Sequence, residues 1–385
     1  MRILIVANGY PEPQDPQWGC FEKDQALALK ALGHEVSIMY VDRRFRKYWR
    51  RVGITQRKDS GLNVYGMFYF PMRWLLLLSY PVYKKFLIRL YYLLYKKYEK
   101  DQGKPDVIYA HYIWNMAYSS LIRKKERIPL VGIEHWSGLT KDVLSPKELD
   151  LGTLAYSSSD CLLSVSKSLQ SHIKRHFDKE STVVYDMLGL EFMKTLQLQK
   201  NKQDDFRFIT VGSLLPIKGF DVLIQAFAQS GLYAKGCTLS IIGDGPERHK
   251  LETLVNDLKL SRSVFLLGKL SKDDIVVLLS QSNVYVMSSY AETFGVACIE
   301  GLSQGLPAIV TKCGGPEDYI NEKNGILVET NNASEMAEAM KMIFNQYSQY
   351  DRYSIAENCR SRFAPDVIAK QLSEYMGGAV SCLSL

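Results

Sequence analysis

The chain has 385 residues, 46% of them hydrophobic and 23% charged, which is typical of a soluble globular protein and too long for one ordinary core. Its seven cysteines are scattered without a C-x-x-C pair, which argues against a disulfide framework or a cysteine zinc site and favours a reducing compartment. The net charge of +7 is uneven: residues 1–190 carry 29 basic against 19 acidic residues, whereas residues 191–385 carry 19 against 22, so the two halves face different partners.

The first half alternates short apolar strands with loops or helices. The predicted elements are a strand at Ile3–Ala7, a helix at about Phe21–Leu32, and strands at Glu35–Tyr40, Val107–Ala110, Leu130–Glu134 and Cys161–Val165. The opening apolar run is too short for a signal peptide, and no apolar run approaches the roughly 18–20 residues that span a bilayer. We therefore expect a cytoplasmic protein.

Three features of the first half follow predicted strands. The segment Gln17-Trp18-Gly19-Cys20-Phe21 opens the first helix and offers backbone to a ligand, but it is not the G-x-G-x-x-G pattern of dinucleotide-binding proteins. His111 and His135 each come directly after a strand. A lone histidine there is more often structural, so both a structural and a binding role stay open.

The polar segment Gln197–Asp205 is the predicted linker, after which the pattern restarts. The elements expected in the second half are strands at Phe206–Val211, Thr238–Ile242, Val264–Leu267, Val284–Met287 and Ala308–Val310, with helices from Asp221, at Arg248–Leu258 and at Asp273–Gln281. Such alternation predicts two doubly wound α/β domains, at 1–196 and 206–364. A last helix, Pro365–Tyr375 within about 365–380, is expected to return to the first domain.

Three loops of the second half follow predicted strands, at the edge where ligands of parallel sheets bind. They contain Gly212-Ser213 with Lys218-Gly219, then Gly243-Asp244-Gly245-Pro246, then Gly314-Gly315-Pro316-Glu317. Lysine suits a diphosphate and glycine permits close backbone approach. Each taken alone also fits a solvated lysine or a plain tight turn.

The segment Ala291–Glu300 places two carboxylates eight positions apart. Glu292 falls in a strand-to-helix loop, Gly295 near the start of the helix, and Glu300 within its first turns. The free N–H groups of a helix N-terminus suit a phosphate, while Glu300 suits a ribose diol and Glu292 a sugar hydroxyl. The alternative is a loop charge and a solvated helix residue.

Taken together, these motifs resemble the retaining GT-B glycosyltransferases of glycosyltransferase family 4 over nearly the whole chain. The resemblance includes Gly33-His34-Glu35-Val36 and Asn324-Gly325-Ile326-Leu327-Val328 beside the loops above. It implies two Rossmann-like domains facing each other across a cleft, an acceptor-binding N-terminal domain and a donor-binding C-terminal domain.

The resemblance also implies roles for single residues. Glu300 binds the ribose, Glu292 a donor-sugar hydroxyl, and Lys218 the diphosphate. His135 matches the family histidine near the anomeric centre better than His111 does, and Gly19 matches the glycine loop facing the diphosphate. The donor-binding set implied in full is Gly19, Gly212, Ser213, Lys218, Gly243, Gly245, Pro246, Glu292, Thr293, Phe294, Gly295, Val296 and Glu300.

Two departures from the family pattern concern charge and sugar contacts. Ser213 stands where the family commonly has arginine, and Asp186-Met187-Leu188-Gly189 replaces Asn-Gly-Val-Asp. The sequence shows no persuasive D-x-D motif. We therefore expect no metal or other cofactor, with Lys218 and the helix N-terminus holding the leaving charge.

A basic aromatic segment runs from Phe68 to Lys97, with six further arginines and lysines between Arg43 and Arg51 upstream. It suits an interfacial helix on anionic lipid, and equally a core-packing helix with a solvated basic edge. No nucleic-acid motif accompanies it.

The leading hypothesis is a retaining transfer from a nucleotide-diphosphate sugar, UDP- or GDP-linked, to a glycan or lipid-linked acceptor in cell-envelope polysaccharide synthesis. The alternatives are a nucleotide-sugar epimerase or phosphorylase, and a non-catalytic protein that binds a sugar nucleotide or glycan.

Overall fold

The structure is a computed structural model that describes residues 1–43, 48–70, 79–194 and 206–383. The chain forms two compact units, one of Met1–Tyr185 with Pro365–Leu385 and the other of Asp186–Ala364. From the sequence we expected the first domain to extend to residue 196. Asp186–Lys194 instead belong to the second unit, where the amide of Leu188 donates to the carbonyl of Phe363 at 2.9 Å. The predicted linker 197–205 lies outside the described residues.

The described part of the first unit is an eight-stranded sheet with helices. Its elements in chain order are β1 Arg2–Val6, α1 Cys20–Ala31, β2 Glu35–Arg43, β3 Gly53–Asp59, β4 Leu62–Tyr69, α2 Tyr80–Gln102, β5 Val107–His111, α3 Tyr112–Glu126, β6 Leu130–Glu134, α4 Pro146–Ser158, β7 Cys161–Ser164, α5 Lys167–Phe177 and β8 Thr182–Val183. The strand order is β3-β4-β2-β1-β5-β6-β7-β8, parallel except for the β3–β4 pair.

The described part of the second unit holds a six-stranded, fully parallel sheet. Its elements are β9 Arg207–Val211, α6 Phe220–Ser230, β10 Thr238–Ile242, α7 Arg248–Asp257, β11 Val264–Gly268, α8 Lys272–Ser280, β12 Val284–Met287, α9 Val296–Ser303, β13 Ala308–Thr311, β14 Gly325–Val328, α10 Ala333–Gln346 and α11 Arg352–Phe363. The order is β11-β10-β9-β12-β13-β14. The last helix, α12 Pro365–Leu383, returns to the first unit and packs on α1, where Ser373 meets His34 at 2.8 Å.

Apolar strands build the core of each unit because both faces of a parallel sheet are covered by helices. In the second unit Phe208, Ile241 and Val286 are fully buried, and α6 packs against α10 through Phe227 and Met340. The loops that follow these buried strands leave the sheet at its carboxyl edge.

The predicted doubly wound fold in two domains is confirmed, but the hairpin β3–β4 was not predicted. Strand β3 is an exposed edge strand, mostly polar, and it lacks the apolar alternation that marks a half-buried strand. Residues 71–78 of the basic aromatic segment lie outside the described residues, as do residues 44–47 of the basic stretch upstream of it.

Candidate functional site

In the second sheet the strand order reverses between β9 and β12, which is where ligands bind in doubly wound sheets. The loops after these two strands bring Lys218 and Glu292 together. The Lys218 ammonium donates to a Glu292 carboxylate oxygen, and the Ser289 hydroxyl donates to the same oxygen at 2.9 Å. The Lys218 and Glu292 side chains are 25% and 12% exposed. Two residues 74 positions apart therefore form one partly buried ion pair at the switch point.

Two further hydrogen bonds tie the two loops together. The Ser288 hydroxyl donates to the Lys218 carbonyl at 2.8 Å, and the amide of Tyr290 donates to the Ile217 carbonyl at 2.8 Å. Gly219 has φ +59°, and a Cβ there would lie 2.3 Å from the Ser288 carbonyl oxygen. Only glycine fits so close a crossing, so Gly219 fixes the position of Lys218.

The glycines of the β9 and β10 loops pack against each other. A Cβ on Gly243, which has φ +137°, would lie 1.9 Å from the Gly212 carbonyl oxygen, and one on Gly245 would lie 2.5 Å from the Leu214 carbonyl oxygen. Ser213 and Pro246 are exposed beside them. The structure thus assembles these residues at the carboxyl edge of the sheet and gives Gly243 and Gly245 a packing role there.

A third loop, after β13, supports Glu292 from the opposite side. The Glu292 amide donates to the Cys313 carbonyl at 2.8 Å, and the Gly315 amide donates to the Glu292 carbonyl at 2.9 Å. A Cβ on Gly315 would lie 2.4 Å from the Thr293 carbonyl oxygen. The glycine pair after β13 therefore allows two backbones to run in contact and sets the direction of the Glu292 side chain.

Helix α9 begins directly after Glu292, Thr293 and Phe294. Gly295 caps it with φ +88° and no side-chain hydrogen bond, so the N–H groups of the first turn, beginning with Val296, are not capped by a side chain. The ring of Phe294 is buried against Tyr319 and Phe363, which leaves its backbone as the part that faces the loop. Glu300 is the fifth residue of α9, about 6 Å along the axis from Val296, and is partly buried.

In the first sheet the order reverses between β1 and β5, and the histidines lie beside this point. His111 is the last residue of β5, and His135 comes directly after β6. Nδ1 of His111 lies 3.2 Å from Nε2 of His135, and the two ring planes differ by 5°. His111 is buried and His135 partly exposed. Burial, and next the neighbouring His135, lower the pKa of His111 well below its ordinary value.

Residues not singled out from the sequence hold this histidine pair. The buried Glu134 carboxylate accepts from the amides of His135 and Trp136 at 3.0 and 2.9 Å, and from the Tyr156 hydroxyl at 2.8 Å. Burial raises the pKa of Glu134, while its hydrogen bonds to Trp136 and Tyr156 oppose the shift. The Tyr112 ring lies 5.1 Å from the His135 ring. The turn after β6 is therefore fixed by a buried carboxylate.

Gly19 lies in the loop that joins β1 to α1. It has φ +72°, and a Cβ there would lie 2.3 Å from the Gly9 carbonyl oxygen, while a Cβ on Gly9 would overlap the Trp18 indole. Asn8, directly before Gly9, accepts from the Trp114 indole N–H at 3.1 Å. The loop is thus tied across the switch point to α3, on the same edge of the sheet as the histidines.

The strand ends carried a signal for the missed residues. Strand β5 ends in a histidine followed by an aromatic residue, His111-Tyr112, and β6 is followed directly by such a pair, His135-Trp136. Because β5 and β6 are adjacent and parallel, both pairs lie at the same edge of the sheet, with His111 paired in register with Ile133. Among the described residues, no group of three or more His, Cys, Asp or Glu is placed to hold a metal ion.

Family comparisons cover both units. Residues 23–187 match Glycosyltransferase Family 4, and residues 194–360 match Glycosyl transferases group 1. An uncharacterized glycosyltransferase of Methanocaldococcus jannaschii is 28% identical over 256 residues, 66% of this chain and 69% of the relative. The lipopolysaccharide core biosynthesis glycosyltransferase LpsE of Rhizobium meliloti is 34% identical over 136 residues, 35% of this chain and 38% of the relative.

Solved structures share the fold across the whole chain. Sucrose-phosphate synthase of Thermosynechococcus elongatus has a TM-score of 0.77 at 19% identity, covering 99% of this chain and 100% of its own. HepE of Anabaena in complex with UDP and glucose has a TM-score of 0.73 at 18% identity, covering 98% and 100%. With both units matched, the chain belongs to the GT-B glycosyltransferases of glycosyltransferase family 4.

Proposed function

We propose that this protein transfers a hexosyl group from a nucleotide-diphosphate sugar to a glycan or lipid-linked acceptor in polysaccharide synthesis, with retention at the anomeric carbon. UDP is the first nucleotide to test, since HepE, a neighbour in fold, is a complex with UDP and glucose. The similarity to the lipopolysaccharide core biosynthesis glycosyltransferase LpsE supports the proposal of a glycan or lipid acceptor. The observation that carries the proposal is the Lys218–Glu292 ion pair beside the start of α9, at the switch point of the second sheet.

This site suits the leaving group of the reaction. A nucleoside diphosphate gains negative charge as the glycosidic bond breaks, and a cation with oriented N–H groups stabilises that charge. Lys218 supplies the ammonium, and the first turn of α9 supplies N–H groups at the positive end of a helix dipole. An ammonium has three N–H donors, so the bond to Glu292 leaves others for a phosphate.

Glu292 and Glu300 have separate places in this proposal. Glu292 is held by Lys218, Ser289 and the β13 loop, so its carboxylate keeps one orientation toward a sugar hydroxyl. Glu300 lies one turn into α9, where a carboxylate accepts both hydroxyls of a ribose. Metal independence is part of the proposal, because Lys218 and the α9 amides stabilise the diphosphate charge that a metal ion stabilises in other transferases.

A donor panel tests the proposal. Purified protein is incubated with UDP-, GDP- and ADP-sugars, and we expect one donor to raise the melting temperature and to release its nucleoside diphosphate, with and without EDTA. NMR of the product then gives the anomeric configuration. Binding without release would support the non-catalytic alternative, and a free epimer formed without acceptor would support an epimerase.

A matched pair of variants locates the site. We expect Lys218→Ala to lower the rate of nucleoside diphosphate release by about 100-fold or more. Lys341→Ala should leave this rate unchanged, because Lys341 pairs with Glu338 at 2.8 Å on α10, in the same unit. Equal rates in both variants would refute the assignment of Lys218.

We further propose that α2 lies against an anionic lipid surface. Its buried residues, Leu87, Tyr91, Leu94, Tyr95 and Tyr98, pack in the core. The opposite stripe is exposed and cationic at helical spacing, and it consists of Val82, Lys85, Arg89, Leu93, Lys96 and Lys100. Such a face fits anionic head groups, with the apolar Val82 at its start and Leu93 between the charges. None of the helices in the described ranges is long and apolar enough to cross a membrane.

Flotation with vesicles of anionic or neutral lipid tests this surface. We expect binding to anionic vesicles at low salt, lost in the double variant Lys85→Glu with Arg89→Glu. The control, Lys179→Glu with Lys269→Glu, changes the charge equally at exposed lysines outside α2. Equal binding by the two double variants would exclude α2 as the lipid-facing surface.

A further inference from the structure

The histidine pair His111–His135 carries more information than either residue alone. Their ring nitrogens are 3.2 Å apart and the ring planes differ by 5°, so an N–H of one ring can lie along the lone pair of the other. One ring must donate and the other accept, since two N–H groups or two lone pairs would repel. The question is which nitrogen carries the proton.

The surroundings of His111 decide this. His111 is 1% exposed, and its Nε2 has no hydrogen-bond partner among the described residues. Such burial keeps the ring neutral, with a single proton. Placing that proton on Nε2 would bury an N–H group without an acceptor. Such a group costs more free energy, and is rarer in proteins, than a buried nitrogen lone pair without a donor. The proton therefore belongs on Nδ1, and His111 donates to His135.

From this arrangement we infer that His111 is a positioning residue that fixes His135 as its Nδ1–H tautomer. Nε2 of His135 is then the acceptor, so Nδ1 of His135 carries the proton and is a donor. A donor there suits a sugar hydroxyl or a phosphate oxygen and excludes His135 from accepting a proton through Nδ1. The consequence for transfer rests on the proposed function, but the tautomer itself does not.

The turn after β5 supports a fixed geometry at this pair. Tyr112 has φ +68°, a left-handed conformation that non-glycine residues adopt at a cost. With this backbone conformation, the centroid of the Tyr112 ring lies 5.1 Å from that of the His135 ring. The Trp114 ring is stacked on the Tyr112 ring with a centroid distance of 4.8 Å. The His135 ring is thus contacted on one side by His111 and on another by Tyr112, and it is not free to turn over without breaking both contacts.

NMR of the intact protein labelled with ¹⁵N at histidine tests the tautomer directly. The chain has six histidines, so the ring nitrogens can be resolved, and loss of a signal set in His135→Ala assigns His135. At neutral pH we expect a protonated Nδ1 and a bare Nε2 for His135 in the unmodified protein. The reverse pattern would overturn the inference without any need for a His111 variant.

Two variants then separate positioning from packing. His111→Phe keeps an aromatic ring but removes the donor, and we expect His135 to change to the Nε2–H form that imidazole side chains prefer in water. His111→Asn keeps an amide N–H near the former Nδ1, and we expect it to retain the Nδ1–H form. An unchanged tautomer in His111→Phe would refute the role of His111.

Turnover with the donor found above is the second readout. We expect kcat to fall about ten-fold in His111→Phe with little change in KM, as for loss of one hydrogen bond in the transition state, and to recover in His111→Asn. If the NMR results hold but neither His111→Phe nor His135→Ala slows transfer, the tautomer inference stands and the proposed role of His135 in transfer fails.

Discussion

Replacing Gly295 by alanine tests how the structure presents the start of α9. Gly295 has φ +88°, so any Cβ costs about 1–2 kcal/mol through the left-handed backbone. That Cβ would also lie 2.9 Å from the Tyr319 hydroxyl oxygen and 3.0 Å from Pro316 Cγ. The buried Tyr319 hydroxyl donates to the carbonyls of Phe294 and Gly295 at 2.9 and 3.1 Å. Displacing it adds about 1–3 kcal/mol, the cost of a buried group losing its partner.

Gly231 provides the matched control. It caps the C-terminal end of α6 with φ +67°, and no atom lies within 4 Å of an added Cβ. Gly231→Ala therefore carries the backbone cost alone, offset in part by the lower entropy of the unfolded chain. We expect Gly295→Ala to destabilise the second unit by about 1–3 kcal/mol more than Gly231→Ala does.

Urea denaturation distinguishes the units because all five tryptophans lie in the first 136 residues. Far-UV circular dichroism reports both units, while tryptophan fluorescence reports the first one. We expect Gly295→Ala to lower the midpoint seen by circular dichroism and to abolish the donor-induced rise in melting temperature. Equal midpoints for Gly295→Ala and Gly231→Ala would refute the argument from the contacts of Gly295.

The remaining predictions concern charge and pH. Lys218→Ala and Glu292→Ala should each lower kcat by about 100-fold or more, the effect known for removing one group that stabilises a transition state. Because the two residues act as a pair, the double variant should lower kcat by far less than the product of the two single effects. A fall in kcat equal to that product in steady-state assays would contradict this. Because folding lowers the pKa of His111, the unfolded chain binds a proton below about pH 6.5 that the folded chain does not bind. The stability of the protein therefore decreases as the pH is lowered. Relative to His111→Phe, the unmodified protein should lose about 1.4 kcal/mol of stability between pH 8 and pH 5.5 in urea titrations followed by tryptophan fluorescence. A constant difference between the two proteins would show that the pKa of His111 is not lowered by folding.

The sequence predicted strands of the second unit that precede the loops of the candidate site because their apolar runs are continuous and end in turns. Thr238–Ile242 and Val284–Met287 were found with the predicted ends. Helix α9 followed from the same reasoning, since Gly295 permits the sharp turn into it. Periodicity and turn chemistry are local properties, and where they govern an element the sequence suffices.

Long-range contacts could not be read in this way. Nothing local to Lys218 indicates that it pairs with Glu292, because their meeting depends on β9 and β12 being neighbours in the sheet. The hairpin β3–β4 was missed for a related reason: its edge strand is stabilised by pairing with β4 rather than by a buried face of its own. The histidine pair likewise required the adjacency of β5 and β6.

Under the proposed function, the Lys218–Glu292 pair bears on how donor binding starts. Without a ligand the two charges neutralise each other, which keeps a partly buried ammonium and carboxylate from standing unpaired. A diphosphate that reaches the start of α9 brings a second negative group to Lys218, and the sugar hydroxyls bring donors to Glu292. The diphosphate thus draws Lys218 away from Glu292, and the sugar hydroxyls replace Lys218 as the hydrogen-bond donors to Glu292. Binding of nucleoside diphosphate alone should therefore be weaker than binding of the intact sugar nucleotide, because the sugar is what satisfies Glu292, and the difference should vanish in Glu292→Ala. Calorimetric titration of both ligands against both proteins measures it, and an equal affinity for the two ligands in the unmodified protein would disprove the coupling.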